Sequence, residues 1–281
     1  MILAAALSAA LAAAQSARTH VQQHEAEIVG ELTSFVALPN VASDHVGIEK
    51  NAAALVAMFG KRGIEARLLR LGRKGGEDDN APPIVVAEWG RGDQVISVYA
   101  HYDGQPVDPA QWATPPWSPM VKDGRLYGRS ASDDKAPIIA MLAAIDSMKA
   151  AHIEPASRIR FVFEGEEEAG SPHLAGYLKQ YANELRTDAW MICDGPVHQS
   201  GKLQLYYGAR GVTDVEITTY GPSRPLHSGH YGNWAPNPIV ALTHLIDSMR
   251  DTDAKILIPG FYDDVAPRTA AERAAIAEFP D

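Results

Sequence analysis

The stretch RIRFVFEGEEEAGS, Arg158–Ser171, runs from an apolar segment through Gly165 into three consecutive glutamates. Its first half is short and rich in β-favouring side chains, and a glycine closes it, so it reads as a buried strand ending in a turn. Adjacent carboxylates repel, and each resists ionising beside the others unless water or a cation holds them apart. Glu166, Glu167 and Glu168 therefore mark either a solvated acidic loop, the usual place of a charge run, or a point where positive charge is expected. The neighbouring segments bear on that choice.

Working outward, VISVYA (Val95–Ala100) and DAWMIC (Asp188–Cys193) repeat the pattern of an apolar strand delivered into polar residues. The first leads into His101 and Asp103 of HYDGQP, the second into Asp194. IVVAEW (Ile84–Trp89) is a further apolar strand, preceded by the turn-forming RKGGEDDNAPP (Arg73–Pro83). Apolar residues recur at helical spacing over Thr19–Val36, Ile48–Gly63 and Lys135–His152, and a further helix is expected around Pro172–Leu185. Near-continuous apolar strands alternating with helices predict an α/β fold, a mostly parallel sheet with helices on both faces. After QLYYGARG the texture changes: VTDVEITTYG reads as an alternating strand with one wet face, and NPIVALTHLIDSMRD as an amphipathic helix. A first unit over residues 18–209 and a second over 210–281 are expected.

The 35 acidic against 25 basic residues leave a net charge of -10, which disfavours nucleic acid or an anionic membrane as partner. A single cysteine, Cys193, permits neither an intrachain disulfide nor a thiolate metal cluster, and it reads as a small core residue. The opening MILAAALSAALAAAQSAR is apolar, too short to span a bilayer, and carries an A-x-A pattern at Ala12–Ala14. An export signal over residues 1–17, with a periplasmic or secreted protein, is expected. The lack of Lys or Arg before the apolar run leaves an ordinary alanine-rich helix and a cytoplasmic protein as the alternative.

Ligands of open α/β sheets bind beyond the carboxyl ends of the strands. There lie His101 and Asp103, then Glu164 to Glu168, then Asp194, and Asp133 and Asp134 fall just before the helix at Lys135. Carboxylates converging on an imidazole without thiolates suit Zn2+, Mn2+ or a similar divalent ion. In His101-Tyr102-Asp103, residues i and i+2 of an extended segment share a face, so Asp103 can orient the ring of His101. Of the adjacent Glu167 and Glu168, which point different ways, one can bind metal while the other takes a proton from water. Asp134 reads as a helix-start or supporting group, and His198, His230 and Glu166 as surface or supporting residues.

In the order HYDGQPV, W, PPWSP, DGRLYGRSASDDKAP, FEGEEEAGS, ICDG and PLHSGHYGNWAPNP, the motifs between about Glu25 and Pro259 resemble the M20 family of co-catalytic metallopeptidases, its dipeptidase and carboxypeptidase members in particular. The resemblance implies two divalent ions, Zn2+ first, with Mn2+ or Co2+ as alternatives. It implies that His101 and Asp194 bind one ion, that Glu168 binds the other and that Asp133 bridges them. Glu167 becomes the general base on the bridging water, Asp103 supports His101, and His227 stabilises the oxyanion from the lid of a partner subunit. Residues 210–281 become part of a lid and dimerisation domain, and the protein a homodimer acting on dipeptides or the C-terminal residues of small peptides. An N-acyl amino acid deacylase of the same family is the nearest alternative, and a non-catalytic binding or dimerisation protein a more distant one.

On this assignment the second ion has only Glu168 and Asp133, where about three protein ligands are usual for catalytic zinc. Family members supply a histidine far downstream. The resemblance therefore implies that the 281 residues are an N-terminal portion of a longer enzyme and that this chain alone has little or no turnover.

Overall fold

The computed structural model describes residues 15 and 17–278, apart from 74–75, 78–80, 196, 202–203, 205, 207 and 209–210. Nearly all of the expected export signal, residues 1–14 and 16, lies outside the described residues. Among the described residues no helix is long and apolar enough to cross a membrane. The chain divides into two compact units, Met1–Gln204 and Leu205–Asp281.

The first unit contains α1 (Glu25–Val36), α2 (His45–Lys61), β1 (Ala66–Leu69), β2 (Ile84–Trp89), β3 (Val95–His101), β4 (Met120–Lys122), β5 (Arg125–Tyr127), α3 (Lys135–Ala150), β6 (Arg158–Glu164), α4 (Leu174–Gln180) and β7 (Ala189–Ile192). Helix α2 starts ahead of its apolar spacing because the Asp44 carboxylate accepts from the Gly47 N–H at 3.0 Å and caps the first turn. The central sheet has the order β1-β2-β6-β3-β7. Strand β3 pairs in parallel with both β6 and β7, while β2 pairs antiparallel with β6 and with β1. Two reversals cancel, so β1 shares the direction of β6, β3 and β7, and β2 alone runs against them.

The side-chain alternation of each strand splits the core in two. Phe161 and Phe163 of β6, with Val85, Ala87, Val98 and Ala100, pack beneath α1, α2 and α3 through Phe35, Leu55, Phe59, Ile138 and Leu142. The Phe59 ring lies 5.2 Å from Phe161 and 5.9 Å from Phe163. On the other face Ile84, Val86 and Val162 meet Tyr177 of α4 and Leu185. Burial on both faces explains why β2 and β6 read as apolar runs.

Strand β7 departs from that expectation. AWMI has the composition of a buried strand, yet Met191 is 52% and Ile192 59% exposed. Among the described residues it is the last strand of the sheet and pairs only with β3, so its apolar content expresses a preference that its edge position leaves unmet. Cys193, the expected small core residue, is half-buried against the main core.

The second unit contains α5 (Ser228–Tyr231), α6 (Pro238–Asp247) and α7 (Ala270–Ala277). The Asn237 side chain accepts from the Ile239 N–H at 2.9 Å and, with Pro238 following it, starts α6. The expected strand VTDVEITTYG forms no ladder. Ile217 and Thr219 are half-buried at alternate positions, but among the described residues no partner strand meets them. Alternation without a partner does not make a strand.

Candidate metal centre

Strands β6, β3 and β7 end side by side, with His101 in register with Glu164. The segments that follow them, together with the start of α3, carry the site. His101 is fully buried, and its Nε2 lies 2.9 Å from Asp133 Oδ1 and 3.9 Å from both Glu167 Oε2 and Asp194 Oδ2. Ligand atoms of His101, Asp133 and Asp194 all fall within 4.8 Å of one another, the one such group of three among the described residues. The side chains of Asp133, Glu167 and Asp194 are 65%, 37% and 31% exposed, so the group opens to solvent on the carboxylate side.

The other faces of His101 are held by two buried aspartates. Asp103 Oδ1 is 3.2 Å from the ring Nδ1, a contact that falls short of an in-line hydrogen bond. Asp134, at the start of α3, leaves the helix end uncapped and instead accepts from the His101 main-chain N–H at 3.1 Å. The peptide bond between Asp133 and Asp134 is cis.

The three glutamates have three different tasks. Glu166 is buried; its carboxylate accepts from the His173 N–H at 3.0 Å and lies 2.8 Å from the His173 ring, which closes the loop. Glu167 turns towards His101. Glu168 accepts from Gln105 Nε2 at 2.6 Å. Asp103 holds the main chain of this turn, its two oxygens accepting from the Glu167 N–H at 3.1 Å and the Glu168 N–H at 3.0 Å. Two glycines make the turn possible: a Cβ on Gly165 would strike the Tyr102 hydroxyl, and Gly170 adopts a φ of +87°.

Electrostatically the site is dominated by carboxylates. Burial works against a charged His101, yet Asp103, Asp134 and Asp194 outweigh it and push the imidazole up to about 10. Burial pushes the Asp134 carboxyl up to about 8 against the pull of the His101 N–H. Burial also raises Glu167; His101 opposes the rise, and Asp194, Glu168 and Asp103 add to it. The carboxylates that raise the imidazole face it across the open side of the site. The imidazole and carboxylate donors fit a divalent ion of the Zn2+ or Mn2+ kind.

Of the residues singled out in the sequence, His101, Asp133, Asp194 and Glu167 come together and Asp103 stands behind them. The Glu168 carboxylate lies outside the group of three and is taken up by Gln105. His227, in the second unit, is exposed; its Nδ1 accepts from the Gly229 N–H at 3.0 Å and its ring lies 4.9 Å from that of His230. Four supporting groups escaped the sequence reading. Gln105 continues the alternation of His101 and Asp103 by one more step, a signal that was present. Asn40 ties the site loops together, donating to Tyr102 O at 2.8 Å and Ser130 Oγ at 2.9 Å. Tyr99 donates to buried Glu164 at 2.7 Å, and Lys135 is buried with Nζ donating to Phe35 O at 2.8 Å and Leu38 O at 3.0 Å. No local pattern marks these three.

Comparison with known proteins agrees with this geometry. Peptidase family M20/M25/M40 matches residues 97–256. The chain is 32% identical over 263 residues to the Cys-Gly metallodipeptidase of Schizosaccharomyces pombe, covering 90% of this chain and 55% of that protein. It is 30% identical to the Beta-Ala-His dipeptidase of Rattus norvegicus, covering 90% and 54%. An M20 family metallo-carboxypeptidase from Sulfolobus solfataricus superposes with a TM-score of 0.68 at 29% identity, over 91% of this chain and 57% of that one. The chain thus spans about half the length of the curated relatives it matches. Since the family match covers more than half of the 281 residues and includes every group that meets at His101, the chain belongs to peptidase family M20/M25/M40.

Proposed function

We propose that this chain carries the catalytic centre of a metal-dependent dipeptidase, cleaving dipeptides or the C-terminal bond of short peptides. The observation that carries the reading is the buried His101, whose Nε2 faces Asp133, Glu167 and Asp194 at the open end of the parallel strands. The relatives named above, a Cys-Gly metallodipeptidase and a Beta-Ala-His dipeptidase, supply the substrate class.

Two divalent ions are proposed, Zn2+ first and Mn2+ or Co2+ next; His101 and Asp194 would hold one, Glu168 would hold the other and Asp133 would serve both. When bound, such ions make water more acidic and polarise the scissile carbonyl. Glu167 takes the proton from water and delivers it to the leaving amine. Its carboxyl is raised by burial, which suits a group that must act as base and then as acid. Asp103 lies against the His101 ring and at the same time fixes the main chain of Glu167, so one carboxylate spaces ligand from base. The second unit takes the part of lid and dimerisation domain, with His227 as the oxyanion donor.

The test is hydrolysis of a dipeptide panel by this chain completed to the length of its relatives and supplied with Zn2+ or Mn2+, beside Glu167→Gln in the same completed chain, with bound metal counted in both. The reading expects Glu167→Gln to keep its metal and lose on the order of 10²-fold or more in turnover. Equal turnover in the variant, or bound metal with no hydrolysis of any dipeptide, sinks it.

A further inference from the structure

His101 ends β3, and Asp103 and Gln105 follow it at two-residue intervals. All three address the Glu167–Glu168 turn. The His101 ring is 3.9 Å from Glu167 Oε2, Asp103 accepts both main-chain N–H groups, and Gln105 Nε2 lies 2.6 Å from Glu168 Oε2 and 3.5 Å from the Glu168 main-chain oxygen. We propose that Gln105 is a positioning residue that engages one carboxylate oxygen of Glu168 and so presents the other to a divalent cation.

Asp103 already fixes the main chain of Glu168, so only its side-chain torsions remain free. A glutamate loses rotamer entropy when a ligand orders it, and a donor that orders it beforehand removes that cost from binding. The donor must also leave the carboxylate its charge. An amide N–H does so because it is neutral, whereas an ammonium or guanidinium would compete with the cation. Outer hydrogen bonds to ligating carboxylates contribute about 10–100-fold to metal affinity. Gln105 is exposed, so its replacement leaves no cavity in the core.

This inference rests on the metal-centre reading above but can fail separately from it. Calorimetric titration with Zn2+ alone, and with Mn2+ alone, is made on the chain completed to the length of its relatives, as the wild type, Gln105→Ala, Gln105→Met, Glu168→Ala and His101→Ala. Both Gln105 variants should weaken, by about 10-fold or more, the uptake that Glu168→Ala removes. They should leave the uptake removed by His101→Ala and the melting temperature of the metal-free protein unchanged. Gln105 variants that bind every ion like the wild type overturn the inference and leave the metal centre standing. So does an equal loss at both uptake steps together with a lowered melting temperature, which would make Gln105 a general fold residue. A single uptake step indifferent to Glu168→Ala and to Gln105 overturns it as well. A wild type that takes up no ion overturns both readings.

Discussion

Helix α3 of the first unit and helix α6 of the second differ in how far each covers its apolar side chains. Helix α3 is apolar nearly all round, and Ile138, Ile139, Leu142 and Ile145 are buried. Helix α6 has a plainer apolar stripe, yet Ile239 is 72%, Val240 50% and Leu245 42% exposed. No described residue of the second unit is buried, while the first unit encloses two apolar clusters about its sheet. An amphipathic period states that a face calls for cover, and only a partner surface provides it.

The largest effect that sharpens this contrast is a matched pair of truncations. Phe59→Ala, which empties the space against Phe161 and Phe163, should cost about 3–5 kcal/mol in urea unfolding. Ile239→Ala on the exposed face of α6 should stay within about 0.5 kcal/mol. A cost at Ile239 as large as that at Phe59 breaks the contrast, since the second unit would then pack its stripe in solution.

A smaller effect tests what the ordered unit does for its site. Asp103→Asn turns one oxygen into an amide N–H facing the main-chain N–H of Glu167 or Glu168. Stability should fall by about 1.5–3 kcal/mol, and Zn2+ uptake should weaken because His101 and the turn lose their common tie. Wild-type stability and uptake in this variant would mean that the turn is held some other way.

The smallest effect lies at the surface of the first unit, where burial no longer decides. Arg70 makes paired hydrogen bonds to Glu49 at 2.6 and 2.8 Å, and that bond, ahead of the opposing cost of burial, lowers the Glu49 carboxyl. A carboxyl lowered on folding stabilises above its unfolded value and loses that contribution as pH falls through the folded one. Both side chains are about half exposed, so screening limits the pair to about 0.2–1 kcal/mol. Glu49→Gln should show this deficit near neutral pH and lose it as the solution is acidified below 4.5. A deficit that persists in acid would assign it to packing.

Much of the site was legible because strand ends are legible. Apolar runs closing into His101, Asp103, Glu167, Glu168 and Asp194 declare where a parallel sheet gathers its polar groups, and the two-residue spacing of His101 and Asp103 predicts their shared face. The expected strand at 212–221 and the burial of β7 failed for one reason. Both assumed a partner surface from a pattern that only requests one.

By itself the sequence determined which residue types arrive at the carboxyl edge and which faces of α1, α2 and α3 turn inward, since both follow from periods of two and 3.6 residues along a local backbone. Tertiary structure alone decided that Asp134 holds the main chain of His101 from 33 residues away and that Asp103 meets Glu168 across 65. It also decided that Glu166 closes its loop through His173, and that Lys135 lies buried beneath Phe35 and Leu38. Local period says only which way a side chain points. Its partner is chosen by how distant segments pack, and no window of sequence contains both.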